Sequence, residues 1–151
     1  MVSTAHRFVF AAALLIAASA CGGGHRIEAT LAPGLPDLRL VDMVEIRDAK
    51  GQVLVSGKFA TASETSDTIV RRAALTNPAN DDWEGEVEMR VKRDGEGASE
   101  ADDVRLRVED LPDDTPCVVM FDALKVADFI TDDDGEADVH LKRESLARTY
   151  N

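Results

Sequence analysis

The strongest constraint in this chain is a two-residue rhythm of apolar and polar side chains, repeated in three separate stretches. Val87, Met89 and Val91 alternate with Glu86, Glu88, Arg90 and Lys92. Val104, Leu106 and Val108 alternate with Arg105, Arg107 and Glu109, and Ala137, Val139 and Leu141 alternate with Asp138, His140 and Lys142. Successive side chains of a strand point to opposite faces, so each stretch has one dry face and one wet face. A helix would need a period near 3.6, which is missing. Half-wet strands belong to antiparallel sheets.

Two further segments, Val53-Leu54-Val55 and Val118-Val119-Met120-Phe121, are apolar on both faces and suit central strands. Turn chemistry separates the segments. Asp48-Ala49-Lys50-Gly51 and Asp132-Asp133-Asp134-Gly135 each place glycine where a short hairpin needs a left-handed residue, and Leu111-Pro112-Asp113-Asp114-Thr115-Pro116 is a proline-bounded loop. The spacing predicts about eight strands, near 40–47, 52–59, 68–75, 84–92, 103–110, 117–122, 125–131 and 136–142. The expected fold is all-β: an antiparallel β-sandwich or small barrel, preceded by a signal helix and a flexible tether. The expected division is a signal peptide over 1–20, a lipid-attachment cysteine and tether over 21–38, a β-sandwich domain over 39–145, and a tail over 146–151. The segment from His25 to Leu38, punctuated by Pro33-Gly34-Leu35-Pro36, also reads as a first irregular strand.

The two glycine turns share a longer pattern. Ile46-x-Asp48-x-x-Gly51-x-Val53-x-Val55 matches Ile130-x-Asp132-x-x-Gly135-x-Ala137-x-Val139. An internal duplication and the reuse of one turn solution both produce such a match.

The start of the chain has the build of an export signal. Arg7 is followed by the apolar run Phe8 to Ala18 and then by small residues, Ala18-Ser19-Ala20. The run is shorter than the roughly 20 apolar residues that span a bilayer. Ala18-Ser19-Ala20-Cys21 resembles the lipobox of bacterial lipoproteins, departing at Ala18, where that family usually has leucine. The resemblance implies cleavage before Cys21 and a lipid on its thiol. Ordinary signal peptidase cuts the same bond, so plain secretion is the alternative. Gly22-Gly23-Gly24 suits a domain held off a membrane by a flexible tether. Gly22 directly after the cysteine implies, by the same resemblance, the outer membrane of a two-membrane bacterium.

From Gly85 onward the chain resembles small β-sandwich modules of uncharacterised bacterial envelope proteins. The carriers are Val104-x-Leu106-x-Val108-x-x-Leu111-Pro112, the apolar strand after it, and Thr131-Asp132-x-x-Gly135-x-Ala137. The resemblance implies the fold and no activity.

Charge narrows the partners. The net charge of −12 becomes −13 once Arg7 leaves with the signal, since no acid leaves with it. So acidic a surface argues against nucleic acid and anionic headgroups as ligands. With Cys21 acylated, Cys117 has no partner for a disulfide and reads as a buried thiol within an apolar strand; without the lipid, a Cys21–Cys117 bond is the alternative.

No reactive constellation stands out. An EF-hand calcium loop with Gly135 at its sixth position would put Ile130 first and Leu141 twelfth, where oxygen ligands belong, so only a looser cation site at Asp132 to Asp138 remains. Trp83, flanked by Asp81, Asp82, Glu84, Glu86 and Glu88, reads as a core or lid residue at the start of a strand. His25, His140 and Cys117 fall short of a copper set because His25 lies in the tether, and His140 alternates outward as a surface histidine. No Gly-x-Ser-x-Gly elbow occurs. The expectation is a non-enzymatic, cofactor-free envelope module, attached to the membrane through lipid on Cys21 and acting on an envelope protein partner. A calcium or small-ligand module built on the acidic turns is the alternative, with a hydrolase behind it.

Overall fold

The computed structural model describes residues 26–31, 35, 37–92 and 103–142. Cys21, His25, the expected signal segment and the tail beyond Lys142 lie outside them. Ten strands are present among the described residues: β1 (Arg26–Thr30), β2 (Met43–Asp48), β3 (Val53–Lys58), β4 (Ala60–Glu64), β5 (Thr68–Asn77), β6 (Asn80–Lys92), β7 (Asp103–Glu109), β8 (Pro116–Phe121), β9 (Leu124–Ile130) and β10 (Ala137–Lys142). All eight expected strands are there, and two more join them.

The strands form one sheet in the order β1-β10-β7-β6-β5-β3-β2-β8-β9, with β4 also on β5. The sheet curls until β9 approaches β10 and β1, giving a nearly closed barrel with a seam at that point. A single sheet with one apolar face buries it by closing on itself. The inward positions are those the alternation marked: Val87, Met89, Val104, Leu106, Val108, Val139 and Leu141 are all at most 1% exposed. Fully burying one such side chain stabilises the fold by about 1.5–3 kcal/mol.

β4 is unexpected, whereas β1 falls in the segment that read either as linker or as a first irregular strand. β4 reads Ala-Thr-Ala-Ser-Glu, is exposed at every position and carries no apolar rhythm. It continues β3: Ser56 faces Thr76 while Ala60 faces Arg72 and Thr61 faces Arg71, one unbroken register against β5. Between them the Phe59 amide turns aside to donate to the Asp42 carbonyl at 2.8 Å. Its ring is buried edge-on against Phe121. β1 pairs with β10 in parallel, Arg26 opposite Asp138 through Thr30 opposite Lys142. The sheet is therefore not wholly antiparallel. β1 lies inside the 21–38 stretch expected to be tether, and Leu31 and Leu38 in that stretch are buried.

The ends of the barrel are closed differently. At one, a short 3-10 turn over Leu38–Leu40 tucks Leu38 and Val41 into the core. Arg71 points inward in line with Ala73 and Leu75 and ties that turn down. Its Nη1 donates to the carbonyls of Leu38, Arg39 and Val41 at 3.2, 3.0 and 2.6 Å, and its guanidinium lies 5.5 Å from the Phe59 ring centroid. At the other end, the two connections that cross the seam, β7 to β8 and β9 to β10, are stitched together. Leu111 N donates to Gly135 O, Asp114 N to Asp132 O and Thr131 N to Thr115 O. Thr131 Oγ1 adds a bond to Pro112 O at 2.7 Å.

Candidate functional site

The two glycine turns use one set of hydrogen bonds. The Asp48 carboxylate accepts from Lys50 N and Gln52 N, both at 2.9 Å, and the Asp132 carboxylate accepts from Asp134 N at 3.0 Å and Glu136 N at 2.8 Å. Each aspartate thus replaces solvent for two backbone donors in a tight turn. The strands around them differ. β2 and β3 pair directly, whereas β9 and β10 pair with other strands, so the second turn is a seam crossing and not the hairpin expected. One carboxylate of the acidic stretch is therefore occupied in holding the chain. Among the described residues no group of three or more His, Cys, Asp or Glu side chains gathers to hold a metal ion.

The cysteine is where the apolar strand predicted it. Cys117 is 1% exposed, and burial, with Asp48 adding a smaller repulsion, pushes its thiol up to about 11. A thiol so placed is unreactive near neutrality. Trp83 is half-buried and packs on the core from the start of β6. Beside it a groove of about 280 Å³ is lined by Glu84, Gly85, Glu86, Arg107 and Glu109. The outer face here is a charge ladder: Glu88 bonds Arg72 and Arg90, and Arg107 bonds Glu109 at 2.9 Å. The Arg72 hydrogen bond, seconded by Arg90, holds the Glu88 carboxyl below its ordinary range against the opposing effect of partial burial.

His140 corrects its sequence reading. By strand parity it belongs with exposed Asp138 and Lys142, yet it is only 5% exposed. The cause is β1, laid alongside β10, which brings Arg26 over the ring. Arg26 Nη2 lies 2.8 Å from Nδ1, and Asp103 Oδ1 on β7 bonds Nε2. A guanidinium can only donate. Nδ1 must therefore be a bare acceptor, and Nε2–H donates to Asp103. Arg105 flanks the pair, its Nε 3.8 Å from Asp103.

This Asp–His pair resembles half of a hydrolytic triad, but its chemistry differs. A triad leaves one imidazole nitrogen facing a nucleophile while the carboxylate holds the other. Here Arg26 takes the nitrogen that would accept the nucleophile's proton. The cluster joins β1, β10 and β7, and among the described residues the ring nitrogens meet Arg26 and Asp103. No family model, no curated protein and no solved structure matches the chain. Arg26 and Asp103 carried no signal in the sequence, because only pairing across β1, β10 and β7 unites them. Arg71 did carry one: a charge in the inward register of Ile69, Ala73 and Leu75.

Proposed function

We propose that this chain is a lipid-anchored cell-envelope barrel that acts through protein contacts and not through catalysis. The observation that carries the interaction reading is the unladdered edge of β9, which faces the seam of the barrel. That strand ladders with β8 on one side and, among the described residues, with nothing on the other. Leu124 and Ile130 stand 49% and 45% exposed at its two ends. An open strand edge flanked by apolar side chains is a template for an added strand. The filled interior supports the same reading, since barrels that carry ligands keep their inside open and this one packs it with apolar side chains. The engaged ring nitrogens of His140 and the buried thiol of Cys117 support a non-catalytic role.

The anchor is argued from Ala18-Ser19-Ala20-Cys21 and the glycines that follow. Intact mass of the mature protein from membranes tests it. A chain starting at Cys21 with acyl mass added is expected, and an unmodified Cys21 in the soluble fraction would overturn the anchor. The contact is tested by in-cell crosslinking of the wild type beside the pair Leu124→Lys and Ile130→Lys. Loss of the recovered partner in the folded double variant is expected; identical recovery would sink the β9 edge as the docking surface.

A further inference from the structure

We infer that the outer face of β2, β8 and β9 is a self-contact surface, and that its partner is a second copy of this chain. The inference rests on the reading that the barrel acts through protein contacts, and it adds a surface and a partner distinct from the β9 edge. The barrel has two unlike walls. On β7 every outward side chain from Asp103 to Glu109 is charged, and on β6 Glu84, Glu86, Glu88 and Arg90 stand opposite them. On β8 the outward positions are Pro116, Val118 and Met120, an apolar column in the middle of its wall. Ile130, 45% exposed, lies opposite Pro116 and widens the column. The outside of a barrel is convex, so β8 meets a flat or convex partner first.

Four charges border the column, and their placement is self-complementary. Glu45 and Lys125 flank Met120 in one row, and Arg47 and Asp128 flank Val118 in the next. Lys125 and Asp128 share a face because a bulge buries both Val126 and Ala127 between them. Each strand neutralises itself: Arg47 Nε donates to Glu45 at 2.9 Å, and Lys125 Nζ lies 2.8 Å from Asp128. Alongside these rows β3 adds only Ser56 and Val53. The signs run minus, plus in the first row and plus, minus in the second. A two-fold axis in the plane of the face lays such a square on its copy with opposite signs at all four corners. With the axis along β8, Glu45 meets the copy's Lys125 and Arg47 the copy's Asp128. With the axis across the strands, Glu45 meets the copy's Arg47 and Lys125 the copy's Asp128. Either way the apolar column meets itself.

Net charge selects the same wall. Copies of a chain with a net charge of −12 repel each other. The seam turns, 110–114 and 132–136, carry acids and no base, so two copies avoid meeting there. Closing on the β7 wall would strip water from a charge at every outward position, which is costly. The β2-β8-β9 rows have no net charge and an apolar centre. Six residues of β2 and of β8, with β9 beside them, cover roughly 14 by 20 Å. A stable interface takes about 800 Å² from each partner, so this contact is transient.

Sedimentation velocity of the purified chain tests it, with native Trp83 emission as the check on folding. The wild type is expected to shift from monomer toward dimer as its concentration approaches about 1 mM, the weak end of specific affinities. Glu45→Lys with Asp128→Lys makes all four corners positive, and Arg47→Glu with Lys125→Glu makes them all negative. Each double variant alone is expected to stay monomeric, and an equimolar mixture to form a heterodimer. Met120→Cys, in an otherwise native face, is expected to give disulfide-linked dimers under mild oxidant, and Arg107→Cys on the other wall is not. A monomeric wild type, a double variant that dimerises alone as the wild type does, a mixture that stays monomeric, or equal crosslinking at 107 and 120 overturns the self-contact. In-cell crosslinks abolished by Leu124→Lys and Ile130→Lys, beside a monomeric mixture, would keep the β9-edge contact and remove this one. Unchanged crosslinks beside a dimeric mixture would do the reverse, so the two failures are distinct.

Discussion

Replacing Gly135 and Gly51 by alanine separates two costs that the sequence cannot tell apart. The two glycines sit in two turns of the same kind with positive φ, +74° and +83°. An L-residue there loses about 1–2 kcal/mol to the contact between its Cβ and the neighbouring carbonyl. At Gly51 that is the whole cost, since a Cβ would meet nothing within 4 Å. At Gly135 the Cβ would lie 1.9 Å from Leu111 O and 2.9 Å from Leu111 C, both backbone atoms. Relief requires moving the β7–β8 connection, which weakens the Leu111 N to Gly135 O bond and its neighbours across the seam. Overpacking adds about 1–3 kcal/mol and a lost hydrogen bond about 1 kcal/mol. Gly135→Ala should therefore cost about 3–6 kcal/mol, much of the 5–15 kcal/mol that holds an ordinary domain together. The assay is urea unfolding followed by Trp83 fluorescence. With a slope of about 1–3 kcal/mol per molar, Gly51→Ala lowers the midpoint by roughly 0.7 M and Gly135→Ala by roughly 2 M or more. Equal losses at the two positions would refute the claim that the second turn is pinned against the crossing loop.

Three further perturbations follow from local geometry. Ala123 holds φ +69° beside Asp122 at +44° in the two-residue turn between β8 and β9, so Ala123→Gly should raise stability by about 1 kcal/mol; an unchanged urea midpoint counts against it. Arg71→Met strips three carbonyls of their donor and should cost about 2–4 kcal/mol, with faster amide exchange over 38–41; a loss under about 0.5 kcal/mol would show the guanidinium to be dispensable. Cys117 should resist alkylation at pH 8 in the native protein and react once urea unfolds it. Its folded thiol ionises only near about 11 against an ordinary 9.0, so the unfolded chain releases that proton first and stability declines as pH rises past about 9. Rapid native labelling would contradict the burial.

The alternation of Val87 to Val91, Val104 to Val108 and Ala137 to Leu141 determined the strand period, the inward face and the all-β class, because side-chain parity in a strand is a local property. The aspartate–glycine turns were legible for the same reason: their hydrogen bonds close within five residues. What no local rule contains is which edges meet. β4 has no apolar rhythm, and only the register it inherits from β3 makes it a strand. β1 is a strand because β10 offers it an edge. That one long-range pairing buries His140, turns a surface histidine into the hub of Arg26 and Asp103, and carries structure back into a stretch whose prolines read as linker. The sequence specified the faces; the closing of the sheet decided which polar residues those faces would trap.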